Sequence, residues 1–130
     1  MKVIQTKGKR KTAIARATLK PGKGKITINN QSLENFSSDI IRIRISEPLV
    51  LAGDVAKKIN LNVSVNGGGV NGQADAVRLA MARALVEHDK KLKKVFDEYD
   101  RLLLVADVRR KEVCKPNDSK ARSKRQKSYR

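Results

Sequence analysis

The chain has 130 residues, which is enough for one domain with a modest core and too few for a second domain. Its composition is strongly basic, with 30 lysines and arginines against 13 acids, a formal net charge of +17 and only 3% aromatic residues. Self-repulsion of this size offers a globular enzyme no evident advantage, so the charge favours a protein whose partner is a polyanion.

The positive charge is concentrated at the two ends of the chain. Residues 1–25 contain nine lysines and arginines and no acid, and residues 109–130 contain ten against two acids. Residues 26–108 contain eleven of each sign. A charge run is usually a solvated, disordered tail. Because both ends carry the same sign, and the C-terminal run lacks the apolar periodicity of a membrane-surface helix, we predict that nucleic acid orders them.

No sequence feature indicates secretion or a membrane span. The N-terminus lacks the apolar core of a signal peptide, and the longest apolar runs are far too short to cross a bilayer. Cys114 is the only cysteine, so an internal disulfide is impossible. We therefore expect a soluble, intracellular protein.

Two β-strands are predicted near the N-terminus. Residues 12–19 mix β-branched residues with alanine and arginine, and the turn sequence at residues 21–24 leads into the short apolar run 26–28. This order predicts a hairpin of the two strands with a basic outer face. Without a bound polyanion, we expect residues 1–7 and 115–130 to be disordered.

The pattern of residues 33–52 is ambiguous. The alternation from Ile41 to Ile45 fits a strand, whereas Ile41, Ile45 and Leu49 also repeat at helical spacing. Ser38 lies in a group of good N-cap residues, and Pro48 would interrupt a helix near its end. The pattern alone leaves both structures open.

The second half of the chain has a strand–helix–strand order. Residues 59–66 alternate strictly between apolar and small polar residues, which predicts a half-buried strand. Residues 73–88 form an amphipathic, alanine-rich helical pattern, and residues 90–99 add a short charged helix. Residues 102–108 are nearly all apolar and predict a buried strand. Together these elements predict a parallel pair joined by a right-handed crossover, and an α+β fold.

A glycine-rich segment separates the predicted strand and helix. Gly67, Gly69 and Gly72 match the spacing of the dinucleotide-binding fingerprint, but no acid ends a following strand at the required distance and no second half-fold remains. Gln73 stands where a P-loop needs lysine. The glycines form either a plain turn with positive φ or a loop that lets a phosphate approach main-chain N–H groups; we favour the second interpretation.

Catalytic and metal-binding constellations are missing from the sequence. His88 is the only histidine and Cys114 the only cysteine, so a histidine-based metal cluster cannot be assembled. The acids at positions 97, 98 and 100 follow several lysines on the same segment, and intrahelical ion pairs account for them. We predict no enzymatic activity, no cofactor, no metal and no small-molecule substrate.

Several segments resemble the family of small-subunit ribosomal protein nine. GGGVNGQADAVRLAMARAL at residues 67–85 is similar to the signature of that family, and GKRKTAIARA at residues 8–17 and PGKGKI at residues 21–26 also match. QKSYR at residues 126–130 resembles the archaeal and eukaryotic tail, and the short N-terminus resembles the archaeal form. KPNDS at residues 115–119 differs from the family, which usually has an aromatic residue and a glycine pair there.

The resemblance implies a compact α+β domain at residues 1–108, similar to the second domain of ribosomal protein five, and an extended basic tail at residues 109–130. It favours a helix over residues 39–52. It also implies a cytoplasmic, structural protein of the small ribosomal subunit that binds rRNA in the head beside other head proteins. The tail is implied to reach P-site tRNA.

The resemblance and the charge distribution together give the expected contact residues. The expected rRNA-binding residues are Lys7, Lys9, Arg10, Lys11, Gly67, Gly68, Gly69, Gln73, Arg78, Arg83, Arg109, Arg110, Lys111, Lys115, Lys120, Arg122, Lys124 and Arg125. The expected tRNA-binding residues are Lys127, Ser128, Tyr129 and Arg130. The alternative functions are a nucleotide-binding enzyme built on the glycine loop and a general basic nucleic-acid chaperone outside the ribosome.

Overall fold

The structure is a computed structural model that describes residues 2–118 and 120–123. Its strands and helices confirm the predicted α+β class. The strands are β1 (Ile4–Arg10), β2 (Ala13–Pro21), β3 (Ile26–Ile28), β4 (Gln31–Ser32) and β5 (Ile59–Asn66), and the helices are α1 (Asp39–Ala52), α2 (Asp54–Lys57), α3 (Val70–His88) and α4 (Leu92–Tyr99). Short 3-10 turns lie at Leu33–Asn35 and Arg101–Leu103.

The strands form one five-stranded sheet in the order β1-β2-β5-β3-β4. β1 and β5 both pair with β2 in antiparallel fashion, and β3 pairs with β5 in parallel. The parallel pair is therefore joined through β4, α1 and α2, which lie between β3 and β5 in the sequence.

One face of the sheet forms the core. The inward residues of β2 are three alanines and Leu19, and those of β5 are Ile59, Leu61, Val63 and Val65; all of them are buried. α3 packs across β1, β2 and β5, and α1 packs against α3. The alternation of buried and exposed residues along β2 and β5 leaves the opposite sheet face to solvent.

β1 is held against α3 by a very close approach of the two backbones. A Cβ atom on Gly8 would lie 2.2 Å from the carbonyl oxygen of Ala76, so only glycine fits there. Thr6 Oγ1 donates a hydrogen bond to the Ala80 carbonyl at 2.8 Å. The expectation of disorder is therefore wrong for residues 4–7, because strand pairing and these two contacts order them without RNA.

The ambiguous segment is helical over Asp39–Ala52, as the family resemblance favours. Ile41 and Ile45 point into the core, and Ser38 is the N-cap, although its side chain makes no capping hydrogen bond. Pro48 lies inside the helix and is buried, and the helix continues past it to Ala52. A proline removes one N–H donor and does not end the helix here, since packing of the apolar face compensates.

Two predicted strand pairings are wrong. β2 does not form a hairpin with β3, because β5 lies between them and the hairpin partner of β2 is β1. Residues 102–108 do not form a strand: Arg101–Leu103 is a 3-10 turn, and the exposed Val105 and Val108 are not core residues. The apolar run instead fills the space beside α4 and α3 with Leu103 and, in part, Leu104.

The predicted helix in the second half of the chain is confirmed, and more of its residues are buried than the single apolar stripe of an amphipathic helix. α3 begins at Val70, three residues before the predicted start, and runs to His88. Its buried residues include Ala76, Leu79, Ala80 and Ala82 in addition to the predicted stripe, because the sheet, α1 and α4 surround it. None of the described helices is long and apolar enough to cross a membrane.

Candidate RNA interface

The solvent-exposed face of the sheet is cationic. Along β1, β2 and β5 most outward positions are held by exposed or partly exposed lysine, arginine, glutamine, threonine, asparagine and serine residues, and Ile14 is the apolar exception. None of the five described strands contains an aspartate or a glutamate. The outward cations of the first two strands are Lys7, Lys9, Arg16 and Lys20.

Strand register places these cations beside hydrogen-bonding side chains. Lys7 lies opposite Arg16, and Arg16 lies opposite Ser64 on β5. One step along the sheet, Lys9 lies opposite Ile14, which in turn lies opposite Asn66. Rows of this kind combine charge with side chains that can hydrogen-bond to phosphate or sugar.

The turn between β2 and β3 carries Lys23 and Lys25 at the margin of this face. Asn60 Oδ1 accepts hydrogen bonds at 3.0 Å from the backbone N–H groups of both lysines. Next to it, Thr27 Oγ1 donates to Asn62 Oδ1 at 3.1 Å. The turn is thus fixed to β5, and its two lysine side chains remain exposed.

The glycine-rich segment is a tight turn followed by an open position. Gly67 and Gly68 have φ values of +79° and +67°, and a Cβ on Gly67 would lie 2.6 Å from the Thr12 carbonyl oxygen. Gly69 has an extended backbone and is the N-cap of α3, and a Cβ added to it would meet no neighbouring atom within 4 Å. Gln73 Nε2 donates to the Gly67 carbonyl at 3.1 Å. The first two glycines therefore shape the turn, and Gly69 alone leaves room for a partner.

The glycine segment does not continue into a dinucleotide-binding unit. In the described part of the chain, no strand follows α3. Gly67 and Gly68 pack against the β1–β2 turn at Thr12 and Ala13. Within the same described residues, no group of histidine, cysteine and acids could hold a metal ion.

Of the predicted N-terminal cations, Lys7, Lys9 and Lys11 are exposed. Lys11 occupies the β1–β2 turn with a positive φ of 54°. Arg10 differs from them because its side chain turns to the helical side of the sheet. Its Nη1 lies 2.7 Å from Asp107 Oδ2, and its Nε lies 3.6 Å from Asp75 Oδ2. Arg10 is therefore held by acids of the protein itself.

Arg78 and Arg83 are also engaged inside the protein. The Arg78 side chain is only 9% exposed and forms ion pairs with Glu47 and Asp100, the latter at 3.1 Å. Arg83 donates to the carbonyl oxygens of Leu104 at 3.1 Å and Lys7 at 2.9 Å. We correct the expectation for Arg78: the buried guanidinium joins α1, α3 and the turn after α4, and it does not face outward.

The segment after the last 3-10 turn begins with a second group of ion pairs around Asp107. Arg109 Nη2 lies 2.8 Å from Asp107 Oδ2, and the Arg109 backbone N–H donates to Oδ1 at 3.0 Å. The hydrogen bonds from Arg109, with the charge of Arg10, hold the pKa of Asp107 well below its ordinary value. Arg110 Nη1 donates to the Asp107 carbonyl at 2.8 Å.

Residues 109–117 are exposed and contain neither helix nor strand. Arg122 forms a bidentate pair with Glu112, at 2.6 and 2.8 Å, and this pair lowers the pKa of Glu112. Such exposed pairs are weak, so a phosphate can replace the acid. Lys111, Lys115 and Lys120 are exposed. The predicted residues Lys124, Arg125, Lys127, Ser128, Tyr129 and Arg130 lie outside the described residues.

Sequence reasoning missed part of this surface. Arg16, Lys20, Lys23 and Lys25 are absent from the predicted contact residues, although the outer face of the N-terminal strands was expected to be basic. The signal was present in the strict alternation of residues 59–66, which places asparagine and serine on one face. Without the β2–β5 pairing, nothing in the sequence showed that this polar row lies beside the basic one.

The comparisons with known proteins agree with one another. Residues 8–130 match the family described as ribosomal protein S9/S16. The chain is 50% identical over 131 aligned positions to small ribosomal subunit protein uS9 of Pyrobaculum aerophilum, covering 99% of this chain and 92% of the relative.

Two further relatives are covered over their whole length. The chain is 52% identical over 132 aligned positions to small ribosomal subunit protein uS9 of Methanothrix thermoacetophila, and equally to that of Thermoplasma volcanium, with 100% of both chains covered in each case. A match of this extent and identity confirms the resemblance seen in residues 8–17, 21–26 and 67–85, and the chain belongs to the ribosomal protein S9/S16 family.

Proposed function

We propose that the chain binds small-subunit rRNA in the head of the subunit through the open, cationic face of its sheet. As a member of the ribosomal protein S9/S16 family it is a structural component of the small ribosomal subunit in the cytoplasm and not an enzyme. The charges of the described residues support the further proposal that it binds rRNA through particular residues.

The observation that carries the proposal is the separation of charge between the two sides of the fold. The sheet strands contain no acid, whereas acids lie on α1, α3, α4 and the connecting segments. Neutralisation of phosphates by lysine and arginine releases counterions and supplies most of the affinity of a protein for RNA backbone. A one-signed surface on an otherwise mixed molecule fits that role.

The proposed contacts follow from which cations are available. Lys7, Lys9, Lys11, Arg16 and Lys20 are exposed, and no ion pair involves them among the described residues. Gly69 adds an open backbone position at the N-terminus of α3. Arg10, Arg78 and Arg83 instead support the protein fold. Arg109 and Arg122 have exposed side chains, paired with the largely buried Asp107 and the exposed Glu112 respectively, and both guanidinium groups can be reached by rRNA.

Radical probing of reconstituted small subunits tests this orientation. In a Cys114→Ser background, Ser64→Cys places an iron chelate at the centre of the sheet face, and the control Asp97→Cys places it at an exposed position of α4. We expect strong, localised rRNA cleavage from position 64 and weak cleavage from position 97. The reverse pattern would mean that rRNA covers the helical side.

We further propose that residues 1–108 form the rRNA-bound domain, similar to the second domain of ribosomal protein five, and that residues 109–130 form an extended tail. Residues 127–130 then contact P-site tRNA. The support is the family resemblance of the last five residues and the exposed, irregular course of residues 109–117. An arginine at the end of the tail can bind phosphate through two parallel hydrogen bonds.

Truncation of the tail tests the tRNA contact separately. Deletion of residues 128–130 should leave subunit assembly intact, because only one of ten C-terminal cations is lost. Arg130→Ala should weaken P-site tRNA by about 1–3 kcal/mol, and Arg130→Lys should restore only part of this loss. The measurement is tRNA dissociation from purified small subunits; unchanged dissociation after the deletion would overturn the tail proposal and leave the sheet proposal standing.

A further inference from the structure

An apolar groove lies along the outward face of α1, on the helical side of the molecule. Its floor and walls are formed by Leu33, Ile43, Val50, Leu51 and Tyr99, and its volume is about 860 Å³. Tyr99, at the end of α4, is 56% exposed and closes one side. The groove belongs to neither the sheet face nor the tail.

α1 is apolar on two opposite faces, which is unusual for a helix at a protein surface. Ile41, Ile45, Pro48 and Ala52 are buried toward α3. On the other side Ile40, Ile43 and Val50 are 78%, 69% and 77% exposed. A surface helix of a soluble domain normally turns polar residues outward. An exposed apolar row of this kind marks an interaction surface.

The charge around the groove disfavours RNA as its occupant. Glu34, Asp39 and Glu47 line it, and Arg42 is the lining cation. Arg42 is already engaged, since its guanidinium pairs with Asp39 and donates to the Glu34 carbonyl. Glu47 is paired with Arg78, so Glu34 is the lining acid without an ion pair among the described residues, and a phosphate placed here would meet its carboxylate with no free cation beside it. A second copy of the chain is disfavoured too, because each copy carries a net charge of +17.

We propose that this groove binds a segment of another protein of the small subunit. The occupant carries apolar side chains that insert between Ile43 and Val50, and a lysine or arginine that faces Glu34. Glu34 is exposed and has no ion pair among the described residues, so it can accept that cation. The protein thus has two sides, a sheet that meets RNA and a helix that meets protein.

Site-directed crosslinking in reconstituted small subunits tests the proposal. In the Cys114→Ser background, Val50→Cys carries a short photo-activated crosslinker in the groove, and Ser64→Cys carries the same reagent on the sheet face as a control. We expect position 50 to crosslink to one protein, through a peptide containing apolar residues and at least one lysine or arginine. A crosslink from position 50 to rRNA, to a second copy of this chain or to no component would overturn the proposal.

Side-chain replacement supplies the second measurement. Ile43→Gln in the crosslinking protein removes an apolar anchor, and Glu34→Gln removes the proposed charge partner; both positions are exposed, so folding should be unaffected. We expect each change to reduce the yield of the protein crosslink, and the pair together by about tenfold or more. An unchanged yield for both would show that the groove does not hold the partner, even if a crosslink forms.

Discussion

Lys7 lies directly opposite Arg16 in the antiparallel pairing of β1 and β2, with both side chains on the open face of the sheet. Like charges in facing positions destabilise a sheet. Repulsion between these two charges therefore lowers the stability of the free protein, and a bound phosphate would reduce that repulsion.

Lys7→Gln should stabilise the free protein and weaken its binding to RNA. Removal of the facing charge should raise the free energy of unfolding by about 0.2–1 kcal/mol at low salt. Lys9→Gln is the matched control, because Lys9 shares the strand and the face but lies opposite Ile14. Urea unfolding should show a gain for Lys7→Gln only, and a gain that persists in high salt would argue against charge repulsion as its cause.

Arg78→Ala should destabilise the fold without changing the RNA affinity of the folded protein. Arg78 neutralises Glu47 and Asp100 from a buried position, and removal of one partner of a buried pair costs about 3–5 kcal/mol when burial is complete. We expect about 2–4 kcal/mol, since both acids keep some contact with water. The control Lys93→Ala, at an exposed position of α4, should change the free energy of unfolding by less than about 0.5 kcal/mol. If the folded Arg78→Ala protein bound RNA more weakly than the unaltered protein, Arg78 would be an RNA-binding residue after all.

Gly68→Thr and Gly69→Thr separate the turn from the proposed RNA contact. Gly68 has a φ of +67° and a Cβ there would meet Ala13 at 3.0 Å, so threonine should cost about 1–3 kcal/mol of stability. Gly69 has an extended backbone with open space around it, and threonine is a good N-cap residue. Gly69→Thr should therefore leave the free energy of unfolding unchanged. If phosphate approaches the N-terminus of α3, Gly69→Thr should nevertheless reduce RNA affinity. Equal affinity of Gly69→Thr and the unaltered protein would leave the segment with a structural role only.

Asp107→Asn should lower stability in a pH-dependent way. The pKa of Asp107 is depressed in the folded protein, mainly by hydrogen bonds from Arg109, so its ionised form stabilises the fold above the ordinary carboxyl pKa. That contribution is lost as the pH falls from about 4 through the depressed folded value. The stability difference between the two proteins should therefore be constant from neutral pH to about pH 5 and shrink below pH 4. A difference that instead changes between about pH 7 and pH 5 would point to another titrating group.

The sequence alone predicted correctly those strands and helices whose hydrophobic periodicity is strong. The strict alternation of residues 59–66 and the alanine-rich pattern before His88 each specify one structure; the strand is found with the predicted ends, and the helix begins three residues earlier than predicted. The glycine signature also identified the family before any fold was known. These are features that depend on neighbouring residues in the chain.

The pairings that failed depend on distant residues. β1 has few apolar residues and is ordered by Gly8 lying against Ala76, a contact that no local pattern reveals. Residues 102–108 are as apolar as a buried strand, but they do not add a strand to the sheet. Leu103 and Leu104 of this run pack against the helices instead. Nothing in the sequence distinguishes Arg78 from an exposed cation, because its two acidic partners come from α1 and from the turn after α4.

The salt dependence of RNA binding tests the proposed sheet interface most directly. We expect the double variant Lys7→Gln, Arg16→Gln to reduce the magnitude of the log–log salt slope by about 1.4–1.8 relative to the unaltered protein, for two lost phosphate contacts. The control Lys91→Gln, Lys93→Gln removes the same charge from the exposed helical side and should leave the slope nearly unchanged. Equal reductions in the two double variants would show that net charge, and not the sheet face, binds the RNA.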